Sequence, residues 1–161
     1  MSKLKKILSQ ESCRKCRICC GFTREDIWEI PLIFAENRNA VEEKLGVQLN
    51  YRGEEFVFDM EFGSDGISYC PALTENGCAL GELKPFDCAV WPFRVNSLGN
   101  MRVITVSPVC ETVYSLPLKT LSDFVNADGF AEMLFSEAQK HPDMIKPYID
   151  GYPILAVQQD K

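Results

Sequence analysis

Cys13-Arg14-Lys15-Cys16-Arg17-Ile18-Cys19-Cys20-Gly21 is the stretch on which the fold turns. Two-residue gaps between Cys13, Cys16 and Cys19 let successive sulfurs face a common centre from one tight loop, with backbone amides pointing at them. Free cysteine also serves as a small buried hydrophobe. Packing alone, however, gives no reason to crowd four cysteines into so short a run. Cys20 stands apart in one respect: adjacent side chains usually diverge, so it need not serve the same centre as Cys19.

Working outward, the remaining cysteines each lie beside residues that favour a sharp turn: Cys70-Pro71, Gly77-Cys78, Pro85-Phe86-Asp87-Cys88 and Pro108-Val109-Cys110. All eight, Cys13, Cys16, Cys19, Cys20, Cys70, Cys78, Cys88 and Cys110, are candidate metal ligands. Three cysteines at two-residue gaps and a distant Cys-Pro resemble the ligand pattern of bacterial ferredoxins, which points to an iron–sulfur cluster of the [4Fe-4S] kind. Four thiolates suit Zn2+ equally well, and spacing leaves both metals open. The single histidine, His141, follows the last cysteine at a distance and reads as a surface residue at a helix end.

Composition decides between metal and disulfide. The 161 residues are 46% hydrophobic and 25% charged, as expected of one globular domain with a continuous core. Met1 to Gln10 carries lysines but no apolar stretch or cleavage site of a signal peptide. The longest early apolar segment, Ile27 to Ala35, is interrupted by Glu29 and Pro31. A cytoplasmic protein with no membrane span is expected, and in a reducing compartment its thiols are metal ligands or redox groups. A net charge of −6, with the cations scattered, argues against nucleic acid as a partner.

Periodicity predicts a short helix over residues 1–10, a helix near Ile27 reorganised at Pro31, and a helix over Asn39 to Lys44 ended by Gly46. Alternation from Tyr51 to Phe62 reads as one strand with Phe56, Phe58, Met60 and Phe62 on one face. Ile67 to Tyr69 and Met101 to Val106 read as further strands, the latter after a turn at Ser97 to Asn100. Helices are expected over Lys119 to Val125, Gly129 to Lys140 and 143–149, and Tyr152 to Val157 reads as a last strand or extended tail. The expectation is a single α+β domain over 1–161, with a short antiparallel sheet and flanking helices organised around cysteine-ligated metal. Its motif core covers 13–110 and its helical part 117–150.

Cys13-x-x-Cys16-x-x-Cys19-Cys20, Cys70-Pro71-x-Leu73, Gly77-Cys78, Pro85-x-x-Cys88 and Trp91-Pro92 together resemble the CxxCxxCC or YkgJ family of zinc- or iron-chelating proteins. That family resembles the cysteine-bearing part of the flagellin lysine N-methylases. The resemblance implies an iron–sulfur cargo and a context in protein lysine methylation. The chain departs from the family pattern at Gly81, in place of tyrosine, and at Lys84 and Ala89, each in place of arginine. Lys84 keeps the charge but not the planar fork.

The function expected is a metal-binding protein holding an iron–sulfur cluster, with an electron-transfer or substrate-binding role and a redox or protein partner. A zinc-binding structural or metal-handling protein is the alternative. Phe86, Trp91 and Phe93 are candidates for excluding water from the centre, and Lys84, Arg94 and Arg102 for placing positive charge near it. No glycine-rich nucleotide loop follows a strand, and no histidine lies near the cysteine run to activate a nucleophile.

Overall fold

A computed structural model describes residues 2–159, which form a mixed helix and strand structure with short sheets. The α+β expectation is met at that level. The chain divides into two compact units, Ser9–Ala89 and a second made of Met1–Leu8 with Val90–Lys161.

The Ser9–Ala89 unit opens with helix α1 (Gln10–Cys16). Ser9 starts it as an extended N-cap whose Oγ accepts from the Ser12 N–H at 3.1 Å, satisfying one orphan donor of the first turn. This corrects the expected helix over 1–10. Residues Ser2–Lys6 instead make a 3-10 turn, and the α-helix begins where the serine cap allows it, carrying Cys13 and Cys16 on a helix and not on a loop. Arg17 ends α1 in the left-handed conformation (φ 58°), its N–H donating to the Cys13 carbonyl. A 3-10 turn, Ile18–Cys20, leads into strand β1 (Gly21–Thr23).

Ile27–Glu29 forms a single 3-10 turn. Helix α2 (Arg38–Leu45) is close to expectation and stops at left-handed Gly46 (φ 65°). The expected strand from Tyr51 to Phe62 is in fact a hairpin of β2 (Leu49–Arg52) and β3 (Glu55–Phe58), in antiparallel register from Leu49 opposite Phe58 to Arg52 opposite Glu55. Gly53, with φ 63°, permits the turn that splits it. All four β3 residues are buried, so alternation fails there because both faces are covered. Ile33, Val41, Leu49, Phe56, Phe58 and Leu80 make the core of this unit. Strand β4 (Ile67–Tyr69) pairs with β1, β5 (Leu73–Thr74) pairs with β6 (Gly77–Cys78), and α3 (Phe86–Val90) closes the unit.

The other unit is built on a four-stranded sheet ordered β10 (Ile154–Val157), β8 (Met101–Val106), β7 (Phe93–Leu98) and β9 (Lys146–Pro147). The β7–β9 pair is parallel, so this sheet is not purely antiparallel as expected. Helices α4 (Glu111–Tyr114), α5 (Leu118–Val125) and α6 (Phe130–Lys140) accompany it, and the last two match their predicted positions. The helix expected over 143–149 is replaced by a 3-10 turn at Pro142–Met144 followed by β9. Phe93 anchors this core, fully buried with ring centroids 5.6 Å from Phe124 and 5.5 Å from Phe130. Burying such a side chain contributes about 2–3 kcal/mol. Among the described residues no helix is long and apolar enough to cross a membrane.

Candidate metal centre

Seven of the eight cysteines belong to the Ser9–Ala89 unit, and Cys110 belongs to the other. Within the seven, local structure sorts the N-terminal run. Cys13 is half-buried along α1, Cys16 is exposed at its end, and Cys19 and Cys20 are half-buried in the 3-10 turn. That tight turn brings the adjacent thiols of Cys19 and Cys20 into a hydrogen bond with each other, where divergence was expected. They act as a pair.

Strand pairing then carries this pair to the later cysteines. Gly21 stands opposite Tyr69 in the antiparallel β1–β4 ribbon, and the Cys70 N–H donates to the Cys20 carbonyl at 2.8 Å. Cys70 begins a turn closed by the Leu73 N–H donating to its carbonyl at 2.9 Å. Its sulfur meanwhile accepts from the amides of Ala72 and Leu73. An amide directed at sulfur favours the thiolate. Cys78, opposite Leu73 in the β5–β6 ribbon, is exposed.

Arg17 ties this ribbon to α1. Its guanidinium donates to the Thr74 and Glu75 carbonyls at 3.2 and 3.0 Å and to the Arg14 carbonyl at 3.2 Å. Cys88 sits on α3, whose first turn is closed by the Ala89 N–H on the Pro85 carbonyl at 3.0 Å. The neighbouring Asp87 carboxylate accepts from the Leu32 N–H at 3.2 Å.

The electrostatics show which thiols share surroundings. The Cys19 thiol is pushed far up, first because it donates to Cys20, then by burial, then by the charges of Cys20, Cys13 and Cys88. Cys20 is lowered by the bond from Cys19 and by the positive charges of Lys84 and Arg17, against the opposing effect of burial. Burial raises Cys70 to about 11, with Cys20 and Cys78 adding to it and the Ala72 and Leu73 amides opposing. Burial also raises Cys88, followed by Asp87 and Cys70. Cys19, Cys20, Cys70 and Cys88 are therefore linked as electrostatic neighbours, with Cys13 joined through Cys19 and Cys78 through Cys70. Cys19, Cys70 and Cys88 thus resist ionisation, chiefly through the bond to Cys20 in the first and burial in the other two, until a cation offsets that cost.

As they stand, no group of three or more histidine, cysteine, aspartate or glutamate side chains among the described residues is arranged to hold a metal ion. The donor set fits a soft, thiolate-preferring metal in kind and in neighbourhood, while the sulfurs are not drawn into a coordination shell. Cys16 is not among the charges that act on Cys19, Cys20, Cys70 or Cys88.

Several of the residues expected around the centre belong to the second unit. Trp91 and Phe93 are core residues of the second unit, Arg94 lies over the Trp91 ring at 4.8 Å, and Arg102 belongs to β8. His141 follows α6 in that same unit. Phe86 stays with the cysteine-rich unit, stacked on Phe34 at 6.3 Å. Of the cations singled out in the sequence, Lys84 acts on Cys20 and Cys88. Arg17 was not singled out, although its position inside the cysteine run was a signal that its charge would lie close to sulfur.

The chain matches no family model, no curated protein and no solved structure.

Proposed function

We propose that the Ser9–Ala89 unit is a thiolate metal-binding module whose cargo is an iron–sulfur cluster. The observation that carries this reading is the Cys20–Cys70 junction. The β1–β4 ribbon and the bond from Cys70 N–H to Cys20 O join the N-terminal cysteine run to the Cys-Pro turn, and Cys13, Cys78 and Cys88 lie in the same electrostatic surroundings. Cys19, Cys20, Cys70 and Cys88 are the proposed principal donors, with Cys13 and Cys78 in reserve around them. The amides directed at the Cys70 sulfur support iron as cargo.

When bound, such a cluster supplies one-electron transfer. The chain's own contribution is to offset the charge of the thiolates with Lys84 and Arg17, and to moderate the Cys70 sulfur through the Ala72 and Leu73 N–H groups. An electron-transfer or substrate-holding role beside the centre follows from that chemistry.

Anaerobic purification, followed by iron, sulfide and zinc analysis and a visible spectrum, tests the proposal. Iron and sulfide together, with broad absorption that bleaches on dithionite, are expected. Zinc without sulfide would replace the cluster with a zinc site. Absence of any bound metal after anaerobic reconstitution with iron and sulfide, or with zinc, would overturn metal binding itself.

A further inference from the structure

Beside the cysteine run, and built from the same ribbon, lies an open pocket of about 490 Å³. Its walls are largely apolar: Ile18, Phe22, Ile67, Tyr69 and Leu73. Phe22 is buried, but Ile18 and Tyr69 are 52% and 57% exposed, a large apolar area to leave facing water at one place. The volume falls in the range of small-molecule sites, about 300–1,000 Å³.

Gly21 keeps the space open. Its backbone is ordinary extended strand (φ −115°, ψ 138°), so no conformational demand requires glycine there. A Cβ would instead meet the Tyr69 ring at 3.2 and 3.4 Å and the Ile67 methyl at 3.7 Å, two of the pocket's own walls. The missing side chain is thus part of the cavity.

The polar groups set the ligand's charge. Arg17 is the one charged residue lining the pocket, among the described residues, and its hydrogen bonds go to neutral carbonyls and not to a carboxylate. No carboxylate takes up its charge, which also acts on the neighbouring Cys20 thiol. The Thr23 hydroxyl is already committed to Asp26 at 2.7 Å. Although the protein as a whole carries a net charge of −6, the pocket wall holds one fixed cation and no acidic residue, so its local field favours an anion.

We propose that this pocket binds a small amphipathic carboxylate, its ring or branched apolar body lying against Tyr69, Ile67 and Phe22 and its anion directed to Arg17. The site goes beyond the metal reading and does not depend on it. Cys16, an exposed residue that is not among the proposed principal donors, also lines the pocket.

Calorimetric titration of the full chain with 3-phenylpropionate, and with the neutral 3-phenylpropionamide, tests the proposal directly. The acid should bind saturably in the millimolar range or tighter, and the amide about tenfold more weakly, as expected for loss of one charge-assisted contact. Gly21→Val should weaken binding of the acid about tenfold or more, because its side chain occupies the cavity. If that variant unfolds by circular dichroism, Tyr69→Ala serves in its place, since this exposed ring can be removed without opening a core, and it should also weaken binding severalfold. Tyr51→Ala, a 73% exposed aromatic on β2, should leave binding unchanged. Absence of saturable binding, equal affinity for acid and amide, or undiminished binding by the folded Gly21 or Tyr69 variant would overturn the assignment. Repeating the titration after metal removal separates this result from the fate of the metal reading, because the pocket should bind either way.

Discussion

Replacing Arg17 with glycine sets two effects against each other that act at a single residue. Arg17 holds φ 58° and ψ 0°, a left-handed conformation that costs a non-glycine residue about 1–2 kcal/mol. Glycine would relieve that strain, but its greater freedom in the unfolded chain returns about 0.5–1 kcal/mol, so the net backbone gain is about 0.5–1 kcal/mol. Against this, the substitution removes three guanidinium hydrogen bonds, at 3.2, 3.2 and 3.0 Å, to the carbonyls of Arg14, Thr74 and Glu75. These are solvent-accessible, so each contributes at the low end, about 0.5–1 kcal/mol. Their total loss of about 1.5–3 kcal/mol outweighs the backbone gain. Arg17→Gly is therefore expected to destabilise the Ser9–Ala89 unit by about 1–2 kcal/mol. The loss should fall first on the β5–β6 ribbon, which Arg17 ties to α1.

Amide hydrogen exchange reads this locally. The Ala79 N–H, which donates to the Ala72 carbonyl at 2.8 Å across the base of the ribbon, should exchange about tenfold faster in the variant. Arg17→Lys should fall between, because an ammonium keeps the charge but cannot reach several carbonyls with a planar fork. Slower exchange at Ala79 and a more stable unit in Arg17→Gly would refute the reasoning. That outcome would mean that backbone strain dominates and the carbonyl contacts contribute nothing.

Cys20→Ser should lower the content of bound metal by half or more, whereas Ser12→Ala, on α1, should leave it unchanged; metal analysis of the two purified variants compares them. Thiol ionisation should make the metal-free unit pH-dependent in a specific sense. Cys70 and Cys88 have raised values in the folded state, so they favour folding below the ordinary thiol value, and that contribution should be lost as pH rises from about 9 through about 11 for Cys70. Cys20, lowered in the folded state, contributes in the opposite sense, its stabilisation present above the ordinary thiol value and lost as pH falls through the lowered one. Denaturant unfolding at a series of pH values should show the alkaline decline, and bound metal should abolish it. In the second unit, Asn96→Ala should cost about 2–3 kcal/mol. Buried Asn96 accepts from Thr105 Oγ1 at 2.6 Å and donates to the Lys146 and Pro147 carbonyls at 3.3 and 3.2 Å, so its loss strands three partners; thermal unfolding measures the cost.

Where the sequence was legible, the cause was local. Gly46 ends α2 at the expected place because it alone adopts the left-handed cap cheaply, and the apolar spacing of Phe130, Leu134 and Ala138 is that of a helix with one buried face. The helix carrying Cys13 and Cys16 was missed although its signal, Ser9 before Gln10, is local too; the cysteine spacing drew the reading toward a loop. Strand β7 was missed for another reason. Buried Asn96 sits where alternation calls for a neighbour of different character, and its amide is satisfied by β8 and β9, which sequence periodicity cannot see. The two-residue β9 has no periodicity of its own and exists through its pairing with β7.

The residue chemistry of the candidate centre was determined by the sequence alone: eight thiols, four of them crowded into one run, with a single histidine remote from it. Which thiols share surroundings was decided by tertiary structure. Cys20 and Cys70 come together because β1 and β4 exchange backbone hydrogen bonds across a long intervening segment that includes α2 and the β2–β3 hairpin, and no local preference encodes that pairing. Cys16, at the end of α1, lines a pocket that the same ribbon helps to wall, and Arg17 bonds the helix end to the β5–β6 ribbon. Spacing can bring sulfurs to one stretch of chain; only the closure of distant strands gives them neighbours, charge and a wall against water.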